Sequence, residues 1–336
     1  MALSTAGAAS PRGRTETRRV AGDPPLLALL GPRPVLAGVA GAACIAFSAV
    51  LVRLAAVEPA TAAVFRCLYA LPVLGLLMRS EDRRLGPRPR RARLVAAGAG
   101  VFFALDLVIW HHAIAAVGAG LGTVLGNLQV VVVGIVAWVL LGERLSRRLL
   151  LAIPLVLAGV TLISGALGGA TYGEHPALGV VLGVATSVAY AGFLLVLRQS
   201  GGDLRRPAGP LFDATAVTVV VAAALGLVSG GVNLVPSWPA HGWLLLLALS
   251  SQVVGWLLIS VSLPRLPAAV TSVLLLLQPV ASVGLGALLL GESPSTGQLV
   301  GVGLILFGVV AATAGRGAQA DARATRMAAS PATTPP

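Results

Sequence analysis

Residues 119–145 read AGLGTVLGNLQVVVVGIVAWVLLGERL, and residues 268–294 read AAVTSVLLLLQPVASVGLGALLLGESP. Both are apolar runs that end in Gly-Glu. Laid over one another with a shift of 149 and no gap, residues 119–160 and 268–309 are identical at 16 of 42 positions. Leucine matches between two apolar helices arise from composition alone. The informative pairs are Gln129 with Gln278, Gly142-Glu143 with Gly291-Glu292, Ser146 with Ser295, and Gly159 with Gly308. The chain therefore contains an internal repeat.

Working outward, the same apolar character recurs along the chain. A bilayer core of ~30 Å takes about 20 apolar residues of helix. Ten such runs are present, at 34–52, 59–78, 94–117, 119–141, 149–167, 177–197, 210–229, 242–263, 268–290 and 298–315. None alternates apolar and polar residues, so they read as helices and not as barrel strands. Composition agrees. The chain is 57% hydrophobic and 11% charged, against roughly 25% charged for a soluble domain, so most of its surface cannot face water. The predicted fold class is an all-α integral membrane protein of ten transmembrane helices, crossing the bilayer as its solvent. The repeat unit holds five of them, so the second copy enters the membrane from the opposite side. This gives two inverted repeats, 34–168 and 177–315, an arrangement typical of secondary transporters.

Charge supplies the orientation. Net charge is +12, and all 24 basic residues are Arg. With the N-terminus inside, 22 of them fall on the inner side, Arg53 falls outside, and Arg66 lies within a span. That asymmetry matches the excess of basic residues in cytoplasmic loops, and it accounts for the basic balance without a nucleic-acid partner. The polar, Ala- and Pro-rich ends, 1–33 and 316–336, read as disordered cytoplasmic tails. An Arg-only chain of this kind fits the plasma membrane of a bacterium.

Several features read as structural. Cys44 and Cys67 lie in apolar runs and behave as small hydrophobes. His111 and His112 point about 100° apart on a helix and form no chelating pair; with Trp110 they suit an interfacial belt. Gly118, Gly122 and Gly126, four residues apart, make a smooth helix face for packing. Glu143 and Glu292 fall at exposed turns as helix-start residues, and Asp213 reads the same way. Walker loops, nucleophile elbows and Asp-rich metal motifs are missing, so no enzyme activity, cofactor or metal is expected. An enzyme acting on lipid-soluble substrates would need a catalytic cluster at the lipid interface. A scaffold or receptor would need neither a midplane polar cluster nor an inverted repeat. No motif specifies an oligomeric state.

Polar groups inside a membrane span are costly and mark function. Arg66, Asp106, Asn127, Gln129, Tyr190, Gln252 and Gln278 are such groups near the midplane, and they are the candidate substrate-binding residues. Gln129 and Gln278 occupy the same place in the two repeats, so both should face one central cavity. Arg66 and Asp106 share a depth, which predicts a buried ion pair, with Asp106 able to take up a proton.

Each half closes on the same string. The first runs Gly122-Thr-Val-Leu-Gly-Asn-Leu-Gln-Val, then Leu-Leu-Gly-Glu143, then Leu-Ala-Gly159. The second runs Ala268-Ala-Val-Thr-Ser-Val-Leu-Leu-Leu-Leu-Gln-Pro279, then Leu-Gly-Glu292, then Leu-Phe-Gly308. These strings, with Arg66 in the second run, resemble the EamA-like family of the drug/metabolite transporter superfamily. The resemblance covers residues 34–315. It implies a ten-helix carrier of small metabolites without an ATPase, with an amino acid or its derivative as substrate and export favoured over import. The copies differ at one place: Val130 stands where the second has Pro279. Any helix break at that proline is therefore expected only in the second half.

Overall fold

The computed structural model describes residues 33–141, 147–168, 171–200, 203–262, 265–266 and 268–313. The tails and Gly142-Glu143 lie outside the described residues. Among the described residues, ten membrane helices follow in order. They are α1 (Pro34–Ala55), α2 (Pro59–Leu85), α3 (Arg90–Val117), α4 (119–141), α5 (Arg147–Ser164), α6 (Pro176–Gln199), α7 (Ala208–Ser229), α8 (Ala240–Ser262), α9 (Ala268–Leu290) and α10 (Thr296–Thr313). Seven are long and apolar enough to span alone, and shorter apolar helices in α4, α9 and α10 complete the set. Pro34, Pro59 and Pro176 open α1, α2 and α6 at the first helical position. A missing N–H has no consequence there and the fixed φ suits the first turn. Large apolar side chains such as Leu76, Leu94, Leu151, Val220 and Leu288 are exposed on the outer surface, as a lipid-facing wall requires.

Helix pairing reflects the repeat. Helix α3 packs on α6 and α7, α2 on α7, α5 on α10, α4 on α9 and α6, and α1 on α8 and α9. Exchanging each helix for the one five positions away turns α3–α6 into α8–α1, α4–α6 into α9–α1 and α3–α7 into α8–α2, which also pack together, and leaves α2–α7, α4–α9 and α5–α10 unchanged. The pairing thus maps onto itself, as two related five-helix halves should. Gln129 and Gln278 sit in the self-paired couple, α4 and α9.

The helix break falls in the first half, not at Pro279. Helix α4 consists of α4a (Ala119–Gly126) and α4b (Gln129–Leu141), separated by a turn at Asn127-Leu128. The Gly126-Asn127 pair has low helix propensity. The Asn127 side chain donates its Nδ2–H to the Thr123 carbonyl at 2.9 Å, and the Leu128 and Val131 amides turn to carbonyls three residues back. Pro279 instead lies inside an uninterrupted α9, and Pro72 and Pro154 are likewise carried inside α2 and α5. Neighbouring helices can re-satisfy the carbonyl that such a proline frees. Proline was the wrong breaking signal; an amide side chain competing for backbone carbonyls was the right one.

Two buried carboxylates fasten helix starts. Glu292 is not the exposed turn residue its position implied. It is buried, and it accepts hydrogen bonds from the Ala119 and Gly120 amides at 2.5 and 3.0 Å. It therefore caps α4a, on the other side of the loop, where the helix dipole also favours a negative charge. Gly118 makes the approach feasible. Its φ is +90°, and a Cβ there would stand 2.7 Å from Glu292 Oε1. Glu81 does the same for α7, accepting from Ala208 and Gly209, both at 2.8 Å. Beside it, Arg206 donates to Asp82 and to the Leu85 and Gly86 carbonyls that end α2. Arg205 rests on Asp203 in the same loop and holds that carboxyl below its usual range.

A lost cap of this kind costs about 1–2 kcal/mol. Glu292→Ala is therefore expected to lower the melting temperature of the purified protein, read by fluorescence-detected size exclusion, and Glu292→Gln, which keeps one acceptor, to lower it less. Equal melting of all three proteins would show that the α4a cap contributes nothing.

Candidate functional site

The residues of α3 that face inward are Phe103, Asp106, Leu107 and Trp110, at spacings of three and four that place them on one helix face. They form one wall of a cavity of about 80 Å³ at the centre of the bundle. Ile45 and Ser48 of α1, Arg66 of α2, Thr123, Gly126 and Asn127 of α4a and its turn, Gln129 of α4b, Tyr190 of α6, Trp256 of α8 and Gln278 of α9 complete it. Six of the seven polar residues singled out from the sequence thus meet in one space. Asn127 reaches it because the α4 break turns there. Gln129 and Gln278 both line it, as repeat symmetry requires.

Gln252 does not line the cavity. It is fully buried behind Arg66, and both ends of its amide are engaged. Its Oε1 accepts from Arg66 Nη2 at 3.3 Å, and its Nε2 donates to Thr215 Oγ1 at 3.2 Å. Ser251, the preceding residue, also accepts from Arg66 Nη2, at 3.4 Å. Both lie in a π-helical stretch, Ala248–Gly255, within α8. Such stretches are rare and concentrate at functional sites. This one lets consecutive side chains address the same guanidinium.

Arg66 and Asp106 do not form the ion pair that their shared depth predicted. They face the same cavity but are not within 4.0 Å of one another. Asp106 is instead held by Thr186 of α6, which donates its hydroxyl to Oδ1 at 2.6 Å. Depth along two helices fixes height in the membrane, whereas the rotation of each helix decides which groups touch. Arg66 Nε and Nη1 are buried without a hydrogen-bond partner, and so is Gln129 Oε1. The Tyr190 hydroxyl lies within hydrogen-bonding reach of the Gln129 amide. The cavity therefore presents a cation, an anion and several amides around free space.

Aromatic residues shape the remainder. Phe103 stacks on Phe193 with ring centres 4.4 Å apart, and Trp256 meets Phe103, Tyr190 and Phe193 edge-on. Trp256 also walls a second cavity toward the Arg-rich end, beside Leu197, Ser200, Arg206 and Ser260. It is thus the partition between the two spaces. Sequence reading missed it, because a tryptophan in an apolar run carries no signal of its own.

Other sequence expectations also shift. His111 is buried, with Nδ1 at 3.0 Å from the Pro59 carbonyl, so it joins α3 to α2 instead of sitting at the interface; His112 is exposed. Asp213 is ion-paired with Arg88 at 2.5 Å, one turn into α7, and is not a cap. Among the described residues no group of three His, Cys, Asp or Glu could hold a metal ion. Ser282 of α9 donates to Thr123 Oγ1 at 3.0 Å and ties the two repeat-related helices beside the cavity.

Comparison with known proteins supplies the family. The family model described as "EamA-like transporter family" matches twice, over residues 32–165 and 177–314. A solved structure titled "Crystal structure of protein" superposes with a TM-score of 0.55 at 17% identity, covering 86% of this chain and 99% of its own. At that identity the likeness concerns the fold. No curated protein matches the chain.

Proposed function

The chain belongs to the EamA-like transporter family, a family of small-molecule membrane transporters, and we propose that it is a secondary transporter of an amino acid or a close derivative. One observation carries the substrate class: a buried guanidinium with two unpartnered nitrogens shares one cavity with a carboxylate. A zwitterion offers a carboxylate to Arg66, whose Nε and Nη1 have no other acceptor, and an ammonium to Asp106. Asn127, Gln129 and Gln278 provide further hydrogen bonds. Trp110, Tyr190 and Trp256 provide an apolar surface for the rest of the molecule.

In this reading Asp106 is also the coupling residue. An ammonium or a proton, but not both, neutralises it in each half-cycle, which links substrate movement to a proton gradient and favours export. Alternating access follows from exchanging the conformations of two inverted halves around a fixed central site, with Trp256 opening on one side. The plasma membrane is the proposed location, with both termini cytoplasmic. The 22 arginines on one side support this orientation.

Two experiments test the reading. In proteoliposomes, the protein should move radiolabelled neutral amino acids at a rate that depends on a pH gradient. Asp106→Asn keeps an oxygen that Thr186 can bond, so the variant should fold normally and lose the dependence on pH. Unchanged pH dependence in a well-folded variant would remove Asp106 from the coupling role. For orientation, a cysteine at the exposed Glu174, in a chain with Cys44 and Cys67 replaced by Ala, should react with an impermeant thiol reagent in intact cells; labelling only after permeabilisation would reverse the topology.

A further inference from the structure

The Arg-rich end of the bundle carries a feature that transport does not use. The inner ends of α3 and α7 enclose an open groove whose head is formed by Arg88, Arg90 and Arg93. Arg88 is 6% exposed, and its Nε and Nη1 have no hydrogen-bond partner; Nη2 donates to Asp213 at 2.5 Å. Arg93 Nε stands 3.9 Å from the same carboxylate and is 57% exposed. Arg88 and Arg93 flank this carboxylate and Arg90 lines the same groove, while Glu81 also acts on Arg88, so the head of the groove keeps a net positive charge.

Below this head the groove is apolar. Leu94 and Ala97 of α3 and Phe212 and Val217 of α7 line it. Leu94 is 64% exposed, and Val101 on the same face of α3, about two turns further toward the midplane, is 41% exposed. Between them, Gly98 has nothing within 4 Å of where a Cβ would stand. Val220 continues the apolar path on α7 at 68% exposure. A basic head on the membrane boundary, followed by an open apolar channel running into the hydrocarbon, matches one ligand shape.

We propose that this α3–α7 groove binds a glycerophospholipid with an anionic headgroup, its phosphodiester on Arg90, Arg93 and the rim of Arg88, and an acyl chain along Leu94, Gly98 and Val101. Basic pockets between transmembrane helices recognise such headgroups, because interfacial Arg side chains attract anionic lipid. Guanidinium groups suit phosphate because their planar fork matches two oxygens. A zwitterionic headgroup has the same phosphate, but its ammonium or choline would face the surplus of guanidinium charge. The site rests on the membrane placement of the chain and not on its transport activity.

The test uses the full-length protein, delipidated in mild detergent and titrated with phosphatidylglycerol or phosphatidylcholine, with bound lipid counted by native mass spectrometry. Phosphatidylglycerol should be retained on the order of tenfold more strongly than phosphatidylcholine. The double variant Arg90→Gln, Arg93→Gln, altered at exposed positions, should lose most of that preference. Arg79→Gln, Arg83→Gln removes the same charge at the same end, and should keep it. Equal retention of the two lipids, or an equal loss in both double variants, overturns the proposal, the latter by reducing it to general charge. Abolition of lipid retention by millimolar inorganic phosphate, with phosphate retained in its place, overturns it in favour of a site for a free anion.

Discussion

Arg66 sets the terms on which the rest of this structure is built. A guanidinium within a membrane span costs from about 3 to more than 10 kcal/mol, depending on how much water and how many partners reach it. Its protein partners here are few. Ser251 and Gln252 both accept from one nitrogen at 3.3–3.4 Å, at the long end of hydrogen bonding, and two nitrogens have no partner. Bonds to a charged group contribute roughly 1.5–3 kcal/mol each even at good geometry, so these contacts alone do not offset the burial. The cavity supplies what they lack: polar space, the field of Asp106 across it, and room for a ligand anion. The π-helical stretch of α8, the Gln252–Thr215 hydrogen bond and the Thr186–Asp106 clasp all hold groups in position around that one cation.

The helix ends are governed by the same scarcity of partners in lipid. A helix start leaves backbone amides without intrahelical acceptors, and a start enclosed by neighbouring helices cannot rely on water. Glu292, from the loop after α9, and Glu81, from the last turns of α2, fill that need for α4a and α7. Each therefore joins two hairpins through a charge-assisted contact. The glycines around Glu292, at 118, 120 and 286, leave the volume it occupies. In this setting the small-residue face of α4 does two jobs: it seats Ile114 and Trp110 of α3 along one side and admits a carboxylate at its end.

Much of this was legible in the sequence, for physical reasons. Hydrocarbon thickness forces long apolar runs, and a shift that brings Gly-Glu and Gln into register exposes the repeat, so helix number and the two-half organisation could be read directly. The rule that polar groups in lipid are expensive picked out six residues that line one cavity. Contacts that depend on helix rotation could not be read. Arg66 and Asp106 share a height but not a contact, and Gln252 faces the wrong way to line the space. Nor could contacts that depend on loop folding be seen. The Gly-Glu motif announced itself twice, yet nothing local shows that Glu292 turns back onto the start of α4a. The break in α4 was missed because Pro279 drew attention, while Asn127 achieved the turn through a side-chain bond to Thr123.

The central claim is that Arg66 waits for a carboxylate while Asp106 faces an ammonium. The most direct measurement is the thermal stability of the purified protein with three kinds of compound at millimolar concentration: neutral α-amino acids, the amines formed by removing their carboxylate, and the acids formed by removing their amine. Ligand binding to the folded state raises stability by RT ln(1 + [L]/Kd), about 2.7 kcal/mol at a hundredfold excess over Kd. The account predicts that amino acids raise the melting temperature, that neither truncated series does, and that Arg66→Gln abolishes the effect. Equal protection by the amines, or protection by amino acids that survives in Arg66→Gln, would contradict it.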